Sequence, residues 1–357
     1  MIEVVVLTKD MEIKWDNYIS NNKNALIYHT LEYRNAISQT YGYAPLYFLA
    51  IDSDSNVKGA VVSFYTKTLI GGKKIQTLPF GAYCDILYDT EEALVFLIRK
   101  LIDVGKQENI NFIELKLKTE LPPLPSDITL IKKSNYCILE LELSKNIDET
   151  RIKYNKRLRK NLRNYHQKAI KDGLIIRHMK SYDDLKEFYD VYIREMRDKH
   201  KMIPKPYSLI ETLFNLFYKK KNIDLILIEH NNKIIAGIIL YFFKDRVIYE
   251  FSASDLKYNR YSPAVLMLDY AIQKSHLENF RIFDFSITSL NHISLLDFKL
   301  RWGSKIIKLP YYYYLINSKH VPDFDYNTSY PLLRMPYRYI PLPIIKLLAP
   351  LVIKQLA

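Results

Sequence analysis

The sequence predicts an α/β protein made of two similar halves, each with a mixed central sheet flanked by helices. Two patterns predict this fold, because each occurs twice along the chain and in the same order. The first is a strand, a polar corner and a second strand, at residues 46–65 and again at 224–243. Gly59 in the first copy corresponds to Gly237 in the second. Alternating apolar positions around a short Asp, Ser or Asn corner are typical of a β-hairpin.

The second repeated pattern is an amphipathic helix, a Glu-Asn corner and a buried strand. It occupies residues 93–115 and, without a gap, residues 263–285. The alignment of the two copies places Glu114 opposite Asp284. A hairpin followed by this helix and strand, found twice in the same order, indicates an internal duplication.

The duplication predicts three parts of the chain. We expect a first domain at 1–147, a second domain with the active site at 148–320, and an amphipathic tail at 321–357. Prolines and basic residues interrupt the apolar tail, and no stretch reaches the ~20 apolar residues that span a bilayer. We therefore expect the tail to pack on a domain or to lie at a membrane surface.

Further helices follow from apolar spacing and from capping residues. A helix at 30–40 is predicted to begin after Thr30, which is a favourable N-cap. Two more are predicted at 182–200 and 208–220.

A basic helix is predicted at 151–171, between the two halves. It carries nine Lys or Arg residues and no acid. On a single helix such charge is often only a solvated face, but its density and its position favour the capture of an anion. The candidate anion-binding residues are Lys156, Arg157, Arg159, Lys160 and Arg163.

Composition also points to an anionic partner. The 357 residues are 48% hydrophobic and carry a net charge of +13. We expect nucleic acid, an anionic membrane surface or a phosphorylated substrate; a general enrichment in lysine without a specific partner is the alternative. Cys84 and Cys137 are the only cysteines, which excludes a disulfide framework and indicates a reducing, cytoplasmic location.

Several common functional motifs do not occur in the sequence. There is no GxxxxGK[ST] or GxGxxG loop for nucleotide phosphates. There is no HExxH or Cys/His spacing for zinc, so we expect no metal site. There is also no GxSxG elbow, which argues against the common serine hydrolase layout.

One positive signal is a helix start in the second half. Ser262 and Pro263 are a favourable N-cap and first helical residue. A helix N-terminus presents free N–H groups that hold phosphate or carboxylate, and Arg260 stands just before it. An ordinary capped helix with a solvated arginine is the alternative.

A second signal lies at the end of the repeated strand. Residues 281–286 carry Asp284 and Ser286 to the carboxyl end of a strand, where ligands collect in α/β sheets. In the short helix that follows, Lys299 lies off the apolar stripe, and we expect it to point into the site. A lysine there could bind phosphate or stabilise charge developing on a carbonyl oxygen; a structural ion pair is the alternative.

These residues together resemble a known family. The buried Phe-Asp-Phe strand at 283–285, Phe298-Lys299, Trp302-Gly303 and the tyrosines at 311–313 resemble the C-terminal signature of the Fem aminoacyltransferases, within the GNAT superfamily. The loop at 77–87 resembles the first-domain Leu-Pro-Phe loop of that family, and 158–177 resembles its basic helix and next strand. The resemblance covers most of residues 25–315.

The resemblance implies two tandem GNAT-like domains and transfer of an acyl group to an amine. Two donors occur among such proteins: aminoacyl-tRNA, with a cell-wall precursor as acceptor, and acyl-CoA. GNAT enzymes that use CoA usually hold its pyrophosphate with a glycine-rich loop, and this chain reads NRYSPA there, so both donors stay open. No permanently bound cofactor is expected.

We therefore expect N-acyl or aminoacyl transfer to an amine of a cell-envelope precursor, either peptidoglycan-type or an amino-sugar polysaccharide. The candidate catalytic residues are Asp284, Lys299 and Tyr261, and the candidate substrate-binding residues are Arg260, Ser262, Ser286, Arg301 and Trp302. The alternative is a non-catalytic tandem module that binds an anionic lipid-linked glycan or nucleic acid. The expected location is cytoplasmic, with peripheral contact at the inner face of the membrane.

Overall fold

A computed structural model describes residues 2–69, 71–321 and 339–356. The chain divides into two compact units. The first unit holds the described residues up to Cys137, the segment from Lys308 and residues 354–356; the second holds Ile138–Ile307 and a helix near the C-terminus. The predicted boundaries at 147/148 and 320/321 differ from these divisions, which fall inside two long strands.

The α-helices of the described residues are α1 (Glu12–Asn21), α2 (Leu31–Tyr41), α3 (Glu91–Gln107), α4 (Ile147–Ile152), α5 (Lys156–Lys171), α6 (Tyr182–Glu195), α7 (Tyr207–Phe217), α8 (Pro263–Leu277), α9 (Ile293–Leu300) and α10 (Leu342–Ile353). The strands are β1 (Glu3–Val6), β2 (Ala44–Pro45), β3 (Phe48–Ile51), β4 (Val57–Val61), β5 (Phe64–Thr68), β6 (Gly72–Gln76), β7 (Leu87–Tyr88), β8 (Phe112–Lys116), β9 (Ile131–Glu142), β10 (Leu174–His178), β11 (Ile223–His230), β12 (Lys233–Phe243), β13 (Arg246–Ser254), β14 (Ile282–Ser289) and β15 (Lys305–Leu315).

The first unit contains a four-stranded sheet in the order β1-β3-β4-β7 and a second run of strands in the order β15-β8-β6-β5-β2. Helix α3 buries Leu94, Leu97 and Leu101 in the main apolar core of this unit. A fully buried leucine contributes about 1.5–3 kcal/mol relative to an exposed one, so this face holds the helix on the sheet.

The strands of the second unit lie in the order β10-β11-β12-β13-β14-β9. The pairs β10-β11, β11-β12 and β12-β13 are antiparallel, whereas β13 and β14 are parallel. Helix α8 makes the crossover between β13 and β14 and packs on β11, β12 and β13. The mixed α/β class predicted from the sequence is confirmed in both units.

The predicted duplication appears in the strand register. The parallel ladder of β6 with β8 runs from Lys74 beside Phe112 to Gln76 beside Glu114. The ladder of β13 with β14 runs from Arg246 beside Ile282 to Ile248 beside Asp284. Glu114 and Asp284 therefore hold the same place in the two ladders, as the sequence alignment predicted.

The Glu-Asn corners also have the same geometry. Asn109 and Asn279 both adopt the left-handed conformation, with φ of 52° and 63°. The amide of Ile110 donates to the carbonyl of Gly105 over 3.1 Å, and that of Phe280 donates to Ser275 over 3.0 Å. Asparagine tolerates this conformation better than other side chains, so it ends both helices in the same way.

The basic segment is two helices and not the single one predicted. α4 ends at Ile152, and α5 begins at Lys156 with Asn155 as N-cap. The Asn155 side-chain oxygen accepts from the backbone N–H of Arg157 over 2.8 Å, and the backbone N–H of Asn155 donates to the carbonyl of Arg301 over 2.7 Å. The chain is therefore held out of helical geometry at this point by a contact with a distant residue.

The other helix predictions fit with small changes at their ends. Thr30 caps α2 as predicted, because its hydroxyl accepts from the amide of Tyr33. The helix predicted at 182–200 is α6 to Glu195, followed by a π-helical turn to His200.

The predicted tail is described only in part, since residues 322–338 lie outside the described residues. Helix α10 buries Ile345, Ala349 and Ile353 and exposes Leu347 and Leu351. No helix in the described part of the chain combines the length and hydropathy needed to cross a membrane.

Candidate active site

The candidate site begins where two parallel strands stop pairing. The ladder between β13 and β14 ends at Ile248 and Asp284, yet β13 continues to Ser254 and β14 to Ser289. Ligands of open α/β sheets collect at the carboxyl ends of parallel strands, so this is the position expected for a substrate.

Lys299 holds the carboxyl half of β14 in an irregular shape. Ser286 lies in the left-handed region, with φ of 59°. The buried Lys299 ammonium lies within hydrogen-bond distance of four oxygens: the carbonyls of Phe285, Ser286 and Ile287 at 2.5, 3.1 and 3.3 Å, and the Thr288 hydroxyl at 2.7 Å. The sequence predicted that this side chain points into the site. The ammonium is instead surrounded by backbone oxygens, so its first effect is on the shape of β14.

Asp284 is fully buried and stabilises the irregular backbone at Ser286, called the kink of β14 below. One carboxylate oxygen accepts from the amide of Ser286 over 2.8 Å, and the other lies 3.4 Å from the Arg246 guanidinium. Arg246 also pairs with Glu140. The structural ion pair considered as the alternative for this site thus exists, with Arg246 as a partner of Asp284.

The turn before α8 differs from the predicted cap. Ser262 has φ of 52° and makes no side-chain capping bond, although Pro263 occupies the first turn of the helix. Arg260 donates to the Tyr261 hydroxyl over 2.7 Å and lies over the same ring. Lys168 of α5 donates to the Arg260 carbonyl over 3.1 Å, so the basic helix contacts this turn directly.

The Trp-Gly corner is a packed junction within the second unit. The Trp302 ring is completely buried and meets the Tyr154 ring edge-on, with centroids 5.1 Å apart. Gly303 has φ of +75°, and a Cβ there would lie 2.4 Å from the carbonyl oxygen of Lys153. Only glycine fits this position, which explains the Trp-Gly pair in physical terms.

The predicted anion-binding residues all lie on the exposed part of α5. The five basic side chains from Lys156 to Arg163 are exposed, while Leu158 and Leu162 are buried. Arg157 lines a pocket of about 210 Å³ together with Arg301 and Trp302. The structure thus brings one predicted anion-binding residue to two predicted substrate-binding residues.

Sequence reasoning missed a polar group on β13. The hydroxyls of Tyr249 and Ser252 lie 2.5 Å apart, and Lys205 pairs with Glu250 on the same strand. Burial raises the pKa of Tyr249 to about 12. These residues lie beyond the ladder, on the strand that faces the kinked half of β14. In the sequence, these β13 residues could have been noticed because their strand directly precedes the turn that contains Arg260.

The first unit fills the corresponding position with its own chain. The Thr77 amide donates to the Glu114 carbonyl over 3.1 Å, and the Cys84 amide donates to that of Lys116 over 2.8 Å. The Lys116 amide donates to the Thr77 hydroxyl over 2.9 Å. The Leu-Pro-Phe loop therefore bonds to the end of β8, where the second unit has its candidate site.

Comparison with known families identifies the second half of the chain. Residues 156–298 match the model of the GNAT acetyltransferase domain. This segment is similar to a GNAT acetyltransferase domain. The match runs from α5 through β13 and β14 to Phe298, the residue before Lys299. It confirms the predicted acyltransferase class.

Three solved structures share the fold of most of the chain. FemX is 14% identical, with a TM-score of 0.69, and the match covers 88% of this chain and 98% of that one. L-PGS from Bacillus licheniformis is 10% identical, with a TM-score of 0.53, covering 91% and 97%. A tandem GNAT protein from the clavulanic acid biosynthesis pathway is 8% identical, with a TM-score of 0.52, covering 88% and 98%.

These matches confirm the predicted fold class of two GNAT-like domains. At such low identity they concern the fold. The comparison with curated protein sequences found no match.

Proposed function

We propose that this GNAT protein transfers an acyl or aminoacyl group from a thioester or tRNA ester donor to an amine of a cell-envelope precursor. The acceptor is a peptidoglycan-type precursor or an amino-sugar polysaccharide. The observation that carries the proposal is the irregular half of β14, held by Lys299 beside the part of β13 that extends beyond its ladder with β14. A rigid, irregular backbone at the carboxyl end of a parallel pair suits the alignment of a donor carbonyl.

In the proposed reaction the acceptor nitrogen attacks the carbonyl carbon of the donor, and the carbon–sulfur or carbon–oxygen bond then breaks. The sequence suggested Tyr261 or Asp284 for the proton. Asp284 is fully buried against the Ser286 amide and Arg246, so we assign the proton to the Tyr261 hydroxyl, which accepts from Arg260 and relays a proton to the departing sulfur or oxygen, released as a thiol or hydroxyl. Lys299 and Asp284 act by positioning β14, Ser286 belongs to that kink, and Ser262 lies at the start of α8.

The direct test uses purified protein, radiolabelled acetyl-CoA or aminoacyl-tRNA, and amino-sugar or peptidoglycan-type amine acceptors. We expect label to appear in the acceptor with one donor class and the rate to fall at least about tenfold in Tyr261→Phe, a loss of ~1.4 kcal/mol. Tyr258→Phe, a neighbouring ring that stacks on Tyr261, is the matched control. Transfer at the full rate in Tyr261→Phe would remove this residue from the chemistry, and no transfer with either donor would contradict the proposal.

The exposed cations of α5 support a second candidate, a non-catalytic module that binds an anionic lipid-linked glycan or nucleic acid. Charge reversal at Arg159 and Arg163 would then abolish binding to these polyanions while no donor is turned over. Reversal at Lys219 and Lys221, which are also exposed, is the control for net charge. If reversal at α5 lowers transfer through the donor affinity alone, the catalytic proposal is retained.

We also propose that the protein works at the inner face of the cell membrane, held there peripherally. Helix α10 exposes Ile344, Leu347, Leu348 and Leu351, with relative exposures of 45, 72, 40 and 63%. Residues 339–357 contain no acid, and the chain carries a net charge of +13. An apolar helix face on a basic protein fits the surface of an anionic bilayer.

A further inference from the structure

The chain leaves α6 of the second unit through an unusually wide turn. Residues Met196–His200 form a π-helical turn that continues α6 directly after Glu195. The turn closes where the backbone N–H of Met202 donates to the carbonyl of Met196 over 3.0 Å. π-Helical turns are rare in proteins and occur frequently at functional sites. Such a turn is retained where its side chains must lie at positions that an α-helix would not give them.

The wide turn brings two successive basic side chains to one buried carboxylate. Glu195 is 7% exposed, and one of its oxygens lies 2.5 Å from Lys199 Nζ and 3.7 Å from His200 Nε2. In an α-helix the residue four positions on shares a face with Glu195, whereas the residue five positions on is turned away. The i→i+5 repeat of a π-helix returns that fifth residue to the same face. The π-helical turn therefore explains why His200 reaches Glu195 in addition to Lys199.

Glu195 also joins this turn to the candidate site. Its second carboxylate oxygen accepts from the backbone N–H of Ser254 over 2.7 Å. Ser254 is the last residue of β13, and the turn that contains Arg260 and Tyr261 follows it in the chain. Helix α6 itself packs on β12 and β13. His200 therefore lies beside a carboxylate that is fixed to the carboxyl end of β13, the end at which we propose that the donor carbonyl binds.

The His200 imidazole has the arrangement of a general base. A carboxylate beside Nε2 favours the tautomer that carries its proton on Nε2, and this tautomer leaves a lone pair on Nδ1. The side chain is 42% exposed, so a substrate can reach the ring. Lys199 lies beside the same carboxylate, but an ammonium has no lone pair with which to accept a proton. Of the two basic side chains at Glu195, only the imidazole suits proton transfer near neutral pH.

We propose that His200 takes a proton from the ammonium group of the acceptor, with Glu195 as a positioning residue. Amines with pKa values of about 8–10 are largely protonated at neutral pH, and an ammonium nitrogen cannot attack a carbonyl. One N–H bond of the ammonium breaks, and its proton passes to Nδ1 of His200. The neutral amine then attacks the donor carbonyl, and a further proton of the nitrogen leaves through Tyr261 with the departing group. His200 releases its proton to water. The inference rests on the proposed function and adds the residue that makes the acceptor reactive.

The other charged groups of the segments around His200 already form ion pairs. These are Lys199 with Glu195, Arg197 with Asp198 in the same turn, and Lys205 with Glu250 on β13. The Tyr249 hydroxyl, also on β13, lies 2.5 Å from that of Ser252. We therefore expect the pH dependence of acceptor activation to follow His200.

The test measures transfer by the wild type and by His200→Ala over a range of pH, with the donor that the wild type uses and an amino-sugar acceptor. At pH 7 we expect His200→Ala to lower kcat/KM for the acceptor at least about tenfold and to leave the KM of the donor unchanged. The deficit should disappear above the pKa of the acceptor amine, where the amine is already neutral. Added imidazole should restore part of the lost rate at pH 7, because it replaces the missing base.

Lys199→Ala is the matched control, since it removes a cation from the same carboxylate without removing a proton acceptor. Its rate and pH profile should stay within about twofold of those of the wild type. Glu195→Gln should move the loss of activity at acidic pH to lower pH, because a carboxylate favours the protonated imidazole. This shift separates a positioning role of Glu195 from a purely structural one.

The outcomes distinguish this inference from the proposed function. Transfer by His200→Ala at the wild-type rate at pH 7 would overturn the inference and leave the proposed function in place. A loss of the same size at every pH, without rescue by imidazole, would also overturn it, because His200 would then act only on the structure. If the wild type transfers nothing from either donor, the proposed function is contradicted, and the inference fails with it.

Discussion

At the scale of single residues, the charged side chains of the candidate site bind backbone groups of β14. Lys299 contacts three carbonyl oxygens and one hydroxyl of β14, and Asp284 binds the Ser286 amide and Arg246. Side chains of this chemical type suggest catalysis when only the sequence is known. In the folded protein their charges are met by groups of the same strand and its neighbours, which fixes the shape of the strand and not the substrate directly.

Replacing Lys299 by methionine should therefore lower the free energy of unfolding. Methionine keeps most of the volume but leaves the carbonyls of β14 without their cation, at a cost of about 2–4 kcal/mol. Urea unfolding measures the loss, and Lys305→Met, at an exposed lysine, should change little. Full stability of Lys299→Met together with lost transfer would show that the ammonium acts on the substrate.

Two glycines with the same backbone angle allow the Trp-Gly corner to be tested. Gly303 and Gly173 both have φ of +75°, but nothing lies within 4 Å of a Cβ added at Gly173. Gly173→Ala should cost only the left-handed conformation, about 1–2 kcal/mol. Gly303→Ala adds a clash with the Lys153 carbonyl and should cost about 2–5 kcal/mol. Equal losses in urea unfolding would mean that the contact with Lys153 is not made.

Lys74 in the first unit makes stability depend on pH. Burial lowers the pKa of its ammonium from 10.5 to about 8, against the opposing effect of Glu114. The unfolded chain then binds this proton more tightly, so the free energy of unfolding rises as pH increases from 8 to 10.5. The gain is at most about 3 kcal/mol. Lys74→Met should lack this rise, whereas Lys67→Met, at an exposed lysine, should keep it. Identical pH profiles for the wild type and Lys74→Met would contradict the burial of a charged group.

At the scale of elements, the two halves share one construction. Helices α3 and α8 each end at a left-handed asparagine and lead into a strand that pairs in parallel over the same three positions. This part was predictable, because a helix stop and a buried strand depend on residues close together in the chain. The break between α4 and α5 was not predictable, because it depends on a hydrogen bond from the backbone N–H of Asn155 to the distant carbonyl of Arg301.

The corner asparagines should contribute equally in the two halves. Asn109→Ala and Asn279→Ala should each lower the free energy of unfolding by about 1 kcal/mol, because alanine is disfavoured in the left-handed region. The corresponding glycine variants, which accept positive φ without strain, should be at least as stable as the wild type. A loss confined to one of the two alanine variants would show that the corners are not equivalent.

At the scale of the whole molecule, the net charge of +13 and the apolar face of α10 favour an anionic surface. We expect the protein to sediment with vesicles of phosphatidylglycerol and much less with those of phosphatidylcholine. Leu347→Ser with Leu351→Ser should weaken this binding at least tenfold, since each buried leucine contributes about 1.5–3 kcal/mol.

The matched control is Leu277→Ser on α8, where the leucine is 78% exposed. Binding that is unchanged by the α10 substitutions but lost in high salt would assign the contact to the basic residues alone. Equal sedimentation with both lipids would contradict a charged membrane partner.

The sequence by itself determined the α/β class, the duplication, the paired corners and the resemblance to GNAT and Fem proteins. These features depend on periodicity and on residues within one or two turns of each other, so residues that are close in the sequence determine them. Tertiary structure alone decided what each charged group meets. Arg246 reaches Asp284 from another strand, Lys299 turns onto backbone carbonyls, and Arg157 joins Arg301 and Trp302 around one pocket. Two side chains form an ion pair or a hydrogen bond only if they are close in space. The spacing of residues along the chain does not reveal that distance.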